Sequence, residues 1–210
     1  MKQQVLKVAR WILVVALGIG AYALLSTLFF RPFTAAERKI ISDSDSLMHV
    51  CVMPADSAVL RAVSAPLGDR ELDSPLLQSL IDKMLYTVQD PSQNGVGIAA
   101  PQVGISRRLV CVQRFDKDGE PFEAYPNIQI DSLLGEYKLG PEGCLSVPGL
   151  RGLVPRYRSI VISYVRPGDS THKRISERVD GFTAVIFQHE CDHLDGILYI
   201  DKATEIQARE

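Results

Sequence analysis

The chain has 210 residues and a mass of 23.2 kDa, with 46% hydrophobic residues, 23% charged residues and a formal net charge of -2. This length fits one domain of ordinary size with an appendage. The composition excludes disordered, collagen-like and low-complexity chains, and the near-zero charge gives no reason to expect specific binding of nucleic acid. Residues 1–40 carry six basic and one acidic side chain, whereas the rest carry 17 basic and 24 acidic ones. The sequence therefore predicts a basic, apolar head on an acidic globular body.

The head contains 20 consecutive uncharged residues, 11–30. A helix of this length, rising about 1.5 Å per residue, would span a hydrocarbon core of about 30 Å. We therefore predict a basic flank and a transmembrane signal-anchor helix over residues 1–30, followed by a juxtamembrane linker over residues 31–47. The alternatives are a signal peptide cleaved near Ala21–Ala23 and a true start of the protein near Met48. The charges on the two flanks are too evenly matched to orient the span.

Residues 48–210 are predicted to form one globular domain, with strands in the middle and helices on either side. A capping serine and a proline precede apolar residues at helical spacing, so we expect an amphipathic helix over residues 75–89. A second helix is expected over residues 183–195, capped by Thr183 and ended by Gly196. Runs of β-formers bounded by Gly, Pro or Asp predict strands over residues 108–115, 123–130, 136–139, 153–165 and 173–179. This mixture predicts an α+β fold.

The second predicted helix carries two histidines four residues apart, His189 and His193, and Glu190 follows the first of them. Residues four apart project from one face of a helix, which is the spacing that two metal ligands need. Glu190 points about 100° away around the helix, where it can reach a water on the metal without binding the metal itself. The pattern predicts a metal site with a neighbouring general base.

A catalytic site of this type needs a third protein ligand and an open coordination position. Cys144 differs from the other cysteines because glycines and prolines surround it and let the backbone approach a ligand. The other cysteines lie in contexts typical of buried, packing side chains. The candidates for the third ligand are Cys144, Cys51, Cys111, Cys191, His49, His172 and the carboxylates.

Three segments resemble the signature motifs of the peptide deformylases. Residues 95–104 (GVGIAAPQVG) resemble the first motif, residues 142–146 (EGCLS) the second and residues 188–194 (QHECDHL) the third. The motifs occur in order, and the resemblance covers about residues 48–204. It implies a peptide-deformylase-like α+β fold, with antiparallel or mixed sheets around the C-terminal helix that carries the two histidines. One departure is Asn127-Ile128, where the family usually has Asn-Pro.

The resemblance implies that Cys144, His189 and His193 bind one divalent metal ion. The family uses Fe2+ in the cell, with Zn2+, Ni2+ or Co2+ as substitutes, and a thiolate with two imidazoles suits these ions. The implied activity is hydrolysis of the N-formyl group from the N-terminal formyl-methionine of newly made polypeptides, which releases formate. A water on the metal would attack the formyl carbon, with Glu190 as its general base.

The same resemblance implies how substrate is held. The Gln102 side-chain amide and the Leu145 backbone N–H would stabilise the oxyanion together with the metal. The peptide is expected to add as a strand beside two glycines of the first two motifs, with an apolar pocket for methionine. Glu142 and Gln188 flank the ligands and are expected to fix their geometry. The residues expected to bind substrate are Val96, Gly97, Gly143, Arg151, Val185 and Ile186.

The expected partners are formyl-methionyl nascent peptides, with the ribosome nearby, and a membrane contacted through residues 11–30. We expect an anchor in the inner membrane with the body in the cytoplasm, or a soluble cytoplasmic protein if the start lies near Met48. Two further hypotheses are a membrane-anchored zinc metallopeptidase and an inactive peptide-binding relative. Only 17 residues follow His193, which leaves little room for the downstream third ligand of such peptidases. Every expected catalytic residue is present, which disfavours an inactive relative.

Overall fold

The computed structural model describes residues 32–208. The predicted membrane span, residues 11–30, lies outside them, so it stays a prediction. Within the described residues, no helix is both long enough and apolar enough to cross a membrane.

Six α-helices and one 3-10 helix occur in this part of the chain. They are α1 (Ala35–Ile41), α2 (Ser57–Leu60), α3 (Asp69–Leu72), α4 (Pro75–Gln89), the 3-10 helix Ala100–Val103, α5 (Gly181–Leu194) and α6 (Tyr199–Lys202). The helix predicted over residues 75–89 is confirmed. Its start is fixed by Ser74, whose hydroxyl accepts a hydrogen bond from the N–H of Leu76 at 3.2 Å, and by Pro75 in the first turn.

The strands of the described residues form two antiparallel sheets. They are β1 (Gly97–Ala99), β2 (Leu109–Gln113), β3 (Phe122–Pro126), β4 (Gln129–Cys144), β5 (Val147–Val165), β6 (Arg174–Asp180) and β7 (Glu205–Ala208). The first sheet has the order β1-β2-β3, and the second has the order β4-β5-β6, with β7 paired to β5 near its start. This arrangement confirms the predicted α+β class with antiparallel sheets.

The prediction of a single strand over residues 123–130 is wrong, because the extended conformation is interrupted at Asn127. Asn127 has a φ of 54°, and its side-chain amide pairs with the backbone N and O of Leu67 at 2.7 and 2.8 Å. The chain passes there from the first sheet to the second. β4 also extends well beyond its predicted length, since Gly140 and Pro141 are tolerated in a strand that is paired on one side only.

Helix α5 packs against strands β1 and β2 of the first sheet and β5 of the second. Phe187 is fully buried on this face, with its ring edge-on to the ring of Tyr125 at 4.8 Å between centroids. The predicted helix start at Thr183 is wrong. The helix begins at Gly181 with Asp180 at the N-cap, and Thr183 is buried in the first turn instead of capping it.

The segment predicted as a linker, residues 31–47, contains a helix that packs onto the body. Helix α1 begins with a capping box between Thr34 and Glu37, whose backbone N–H groups each donate to the side chain of the other residue. Phe33 and Ile41 are buried in the core beside helix α4. These residues therefore belong to the folded body, although the polar sequence after Ile41 is typical of a linker.

Arg107 links the segment that contains helix α1 to the rest of the fold. Its guanidinium is buried, donates two hydrogen bonds of 2.8 and 2.9 Å to the Glu37 carboxylate, and donates a third of 2.7 Å to the carbonyl of Pro32. The guanidinium carbon also lies 5.2 Å from the centroid of the Phe33 ring. Burial acts to raise the pKa of Glu37, but the hydrogen bonds and charge of Arg107 outweigh it, so this pKa lies below its ordinary value.

Candidate metal and active site

Three side chains converge where the end of β4 meets helix α5. Sγ of Cys144 and one ring nitrogen each of His189 and His193 lie within 4.8 Å of one another. Nε2 of His193 is 3.2 Å from Sγ of Cys144, and the two imidazole rings are edge-to-face with 5.1 Å between centroids. No other group of this kind occurs among residues 32–208. The other sequence candidates lie outside it, namely Cys51, Cys111, Cys191, His49 and His172.

A hairpin positions the cysteine. Cys144 is the last residue of β4 and pairs with Val147 at the start of β5, so Leu145 and Ser146 form the turn between them. The register shifts between Glu142 and Cys144, and such bulges re-aim side chains at the end of a strand. The N–H of Ser146 lies 3.4 Å from Sγ, where it can donate to a thiolate.

The imidazole of His189 is oriented from behind by a chain of charged groups. Its Nδ1 lies 2.9 Å from a Glu142 carboxylate oxygen, which leaves Nε2 directed toward Cys144. Arg156, itself buried, donates to both oxygens of Glu142 at 2.8 and 3.0 Å and to Asp192 at 2.6 Å. Burial acts to raise the pKa of Glu142, but His189 and Arg156 lower it to about 2. Glu142 is therefore a permanent carboxylate behind the ligand, as is common around metal sites.

The electrostatics of the two histidines differ. Burial acts to lower the pKa of His189, but Cys144 and Glu142 raise it well above its ordinary value, so this position attracts a positive charge. Burial and the neighbouring charge of His189 hold the pKa of His193 well below its ordinary value. His193 is therefore neutral, which is the form that binds a metal.

Glu190 is almost completely buried beside the same group. Burial raises its pKa to about 7, and its Oε2 has no hydrogen-bond partner among the described residues. Gly97 of β1 lies against it: a Cβ built on Gly97 would lie only 2.5 Å from Oε1 of Glu190 and 2.8 Å from Cγ2 of Ile186. A carboxyl group with a pKa near neutrality and an unpaired oxygen is suited to exchange protons with a bound molecule.

Gln102 approaches the site from the 3-10 helix. Its Oε1 accepts a hydrogen bond of 2.8 Å from the N–H of Ala99, so its amide orientation is fixed. Its Nε2 lies 3.3 Å from Oγ of Ser146 and 3.6 Å from Sγ of Cys144. The donor end of this amide therefore faces the ligand group.

An open cleft of about 350 Å³ lies beside the ligand group, and its lining includes Cys144, His189, Glu190, Gln102 and Leu145. Strands β1 and β4 each pair on one side only within the described residues, so each presents an unpaired edge. All six residues expected to bind substrate line the cleft: Val96, Gly97, Gly143, Arg151, Val185 and Ile186.

Three residues of the site were not identified from the sequence. Arg156 lies in a strand in which polar and apolar residues alternate. The only sequence feature that points to it is that a carboxylate buried next to a ligand, such as Glu142, requires a nearby cation. The ring of Tyr199 stacks on His189 with 6.1 Å between centroids. Phe182, half exposed in the first turn of α5, forms part of the cleft wall. Neither aromatic residue has a sequence pattern that distinguishes it from core or surface packing.

Comparison with known proteins agrees with this geometry. The family model described as polypeptide deformylase matches residues 48–209. The chain is 43% identical over 159 residues to peptide deformylase 2 of Bordetella bronchiseptica, which covers 73% of this chain and 86% of the relative.

Solved structures give the same result. The class I type b peptide deformylase of Acinetobacter baumannii, solved with bound Met-Ala-Ser, is 36% identical, with a TM-score of 0.65 over 74% of this chain and 98% of that one. The peptide deformylase of Thermotoga maritima is 31% identical, with a TM-score of 0.65 over 76% of this chain and 99% of that one. The resemblance to the peptide deformylases is thereby confirmed, and the chain belongs to the polypeptide deformylase family.

Proposed function

We propose that this chain hydrolyses the formamide bond of N-terminal formyl-methionine on newly made polypeptides, with release of formate and a free α-amine. One observation carries the proposal: a buried carboxylate, Glu190, stands beside a Cys-His-His group in a cleft with two unpaired strand edges. Membership of the deformylase family supports this substrate class. The Acinetobacter relative was solved with a peptide that begins with methionine, as the product of this reaction would.

A divalent metal ion fits the ligand group. One thiol and two imidazoles form a donor set suited to Fe2+ or Zn2+, and we propose Fe2+ as the native ion, with Zn2+, Ni2+ or Co2+ as substitutes. When bound, such an ion supplies Lewis acidity that activates water and polarises the formyl oxygen. Cys144, His189 and His193 would hold it. Glu142 keeps Nε2 of His189 directed toward it, so little reorganisation is needed on binding.

Glu190 would move the proton. Its carboxylate accepts a proton from the attacking water as the new C–O bond forms at the formyl carbon. It then gives this proton to the departing nitrogen as the C–N bond breaks, which leaves the neutral amine and formic acid, and the acid loses its remaining proton to solvent to give formate. Because burial already raises its pKa to about 7, it can serve in both directions near neutral pH.

Two donors would stabilise the negative charge that develops on the formyl oxygen. The hydrogen bond from Ala99 to Oε1 of Gln102 leaves Nε2 as the donor end of the amide, next to Cys144. The Leu145 backbone N–H, in the turn directly after Cys144, would supply the second. Donors held in place by the fold stabilise a transition state without a cost of reorganisation.

The substrate backbone would lie as an added strand between the unpaired edges at Gly97 of β1 and Gly143 of β4. Val96, Val185 and Ile186 line the cleft and would form the methionine pocket, with Arg151 on the peptide path. Main-chain hydrogen bonds suit an enzyme that must accept many sequences, since only the formyl-methionine is common to its substrates.

The test is formate release from a formyl-Met peptide by the Fe2+-loaded chain under anaerobic conditions, with intact peptide bonds as the check against a metallopeptidase. Glu190→Gln should lower kcat by about 10²- to 10⁴-fold, the usual contribution of a general acid–base group. Glu136→Gln, at an exposed carboxylate in β4, is the matched control. Unchanged activity of the Glu190 variant would refute the mechanism.

Metal content measured in the same preparations tests the ligand set. Cys144→Ala should lose its bound ion, whereas Cys191→Ala, at a buried cysteine outside the group, should keep one equivalent. Retention of the ion by the Cys144 variant would remove this residue from the ligand set.

A further inference from the structure

A second chamber, of about 210 Å³, adjoins the substrate cleft. Both cavities are lined by Pro141, Glu142, Phe182 and Val185, so the end of β4 and the first turn of α5 form their common wall. The rest of the chamber is lined by the β4–β5 hairpin. Nothing in the proposed mechanism uses this space.

The chamber lies against one face of the hairpin. Lys138 is directly opposite Arg156 in the register, and Gly140 is opposite Val154. Because every second residue of a strand points to the same side, these four residues lie on one face of the hairpin. Arg158, two residues after Arg156, reaches over Gly140: a Cβ built on Gly140 would lie 3.6 Å from Nη2 of Arg158. Because Gly140 has no side chain, the space beside the guanidinium stays open.

This face carries uncompensated positive charge. Arg156 is neutralised by Glu142 and Asp192. Lys138 and Arg158 are exposed, and neither has a carboxylate within 4.0 Å among the described residues. Lys138 and Arg158 both line the chamber, so an anion bound there would compensate their charges.

The course of β4 determines which part of a substrate can reach the chamber. The chain turns at Leu145 and Ser146 immediately after Cys144, so the unpaired edge of β4 leads away from the ligand group in one direction only, toward Gly140 and Lys138. A peptide whose formyl group lies at the ligand group, and whose backbone follows this edge, carries its next residues past the chamber.

We propose that Lys138 and Arg158 form a subsite for an acidic side chain of the formylated peptide, at one of its residues two to five. The subsite deepens the proposed function and rests on it for the identity of the peptide. Its chemistry is that of carboxylate recognition by a guanidinium and an ammonium group. Substrates with Asp or Glu at the matching position would therefore be bound more tightly than their amide counterparts.

The experiment uses the full chain loaded with Fe2+ under anaerobic conditions. Pentapeptide amides of sequence Met-Ala-Ala-Ala-Ala, with a single Glu or Gln placed at each of positions two to five, are prepared with and without the formyl group. Binding of the unformylated peptides is measured by calorimetry, and formate release from the formylated ones gives kcat/KM. The binding measurement does not depend on catalysis, so a failure of the subsite is distinguishable from a failure of the deformylase activity.

At one position, Glu should improve Kd and kcat/KM over Gln by about threefold to tenfold, the effect of one or two partly exposed ion pairs, and 0.5 M NaCl should reduce the difference. Lys138→Gln with Arg158→Gln should abolish the preference, and Lys138→Glu with Arg158→Glu should reverse it in favour of an added peptide that has Lys at the same position. Arg166→Gln, at an exposed arginine that lines neither cavity, is the matched control and should keep it. Equal binding of Glu and Gln peptides at all four positions, or a preference that survives in the double variant, would overturn the proposal.

Discussion

Gly97 shows how closely the site is built around its carboxylate. A methyl group at this position would overlap Oε1 of Glu190 and contact Ile186 at less than 3.0 Å. Glu190 is almost completely buried on helix α5, so its carboxylate would have to leave this position to make room for the methyl group. The absence of a side chain at residue 97 is therefore a requirement for the position of the proposed base.

We expect Gly97→Ala to displace Glu190 and to lower kcat by about 10²-fold, because a misplacement of the order of 1 Å has effects of this size. The ligand group does not include Gly97, so metal content should stay at the wild-type level. Steady-state kinetics and metal analysis of the same preparation provide the check. A variant that keeps full activity would show that Glu190 has more freedom than the packing indicates.

At the scale of single residues, the sequence predicted the groups that have a fixed spacing. His189 and His193 are recognisable because helix geometry alone places them on one face, and Cys144 stands in a distinctive glycine-rich context. Arg156 could not be recognised, because its role depends on the pairing of β4 with β5, which lets its long side chain reach Glu142 across the hairpin. Long-range pairing of this kind leaves no local pattern.

Helix α1 is only seven residues long, but it contributes to the stability of the body. It buries Ile41 and supplies Glu37 as a partner for the buried guanidinium of Arg107, while Phe33 packs just before it. The family model matches only from residue 48 onward, so this segment lies before the matched part of the chain.

A chain that starts at Met48 should be less stable than one that starts at Pro32, by about 3 kcal/mol or more, since it loses buried apolar side chains and one partner of a buried ion pair. Urea unfolding of the two chains measures the difference. Equal unfolding midpoints would show that α1 contributes nothing to the body.

The loop between β5 and β6 is held to helix α3 and the residue after it by a histidine. Nδ1 of His172 lies 3.3 Å from Asp69, and its Nε2 lies 2.8 Å from Asp73. The hydrogen bond to Asp73, with the charges of both carboxylates, raises the pKa of His172 despite some desolvation. Because the pKa is higher in the folded state, this contact stabilises the fold at low pH and is lost as the pH rises through the folded-state value.

Hydrogen exchange should therefore show greater protection of residues 166–173 at pH 6 than at pH 9, after correction for intrinsic rates. His172→Gln should remove this pH dependence, because glutamine does not titrate. His49→Gln, at an exposed histidine elsewhere, should leave it intact. Equal protection of the wild-type loop at both pH values would contradict the role of the histidine.

At the scale of elements, the helix over residues 75–89 could be predicted in full because capping, proline position and apolar spacing all agree. The presence of antiparallel sheets could be predicted, but the ends of their strands could not. The strand expected at residues 123–130 fails at Asn127, whose positive φ depends on hydrogen bonds to Leu67, 60 residues earlier in the chain. Strand β4 tolerates glycine and proline because it lies at the edge of its sheet, and this edge position cannot be predicted from the local sequence.

The whole chain combines a deformylase body with an N-terminal apolar segment that the family match does not include. The membrane anchor over residues 11–30 stays a prediction from the sequence, as does a cytoplasmic position of the body. If the segment is retained as an anchor, the native protein should sediment with membranes and resist extraction by carbonate. Mass spectrometry of its N-terminal peptide should then begin at or near Met1. A peptide beginning near Ala23 or at Met48 would instead identify cleavage or a later start.

The ligand group joins two parts of the chain that are otherwise far apart in sequence. Cys144 ends strand β4 and His189 lies on a helix, so an ion held by both closes a loop of about 45 residues, and loop closure of this kind restricts the unfolded chain. An ion that binds only the folded chain adds about 2.7 kcal/mol of stability when its free concentration is a hundred times its Kd. If Cys144 and His189 hold the ion as proposed, the melting temperature should rise with the free metal concentration, and the protein without its ion should be cleaved faster by proteases.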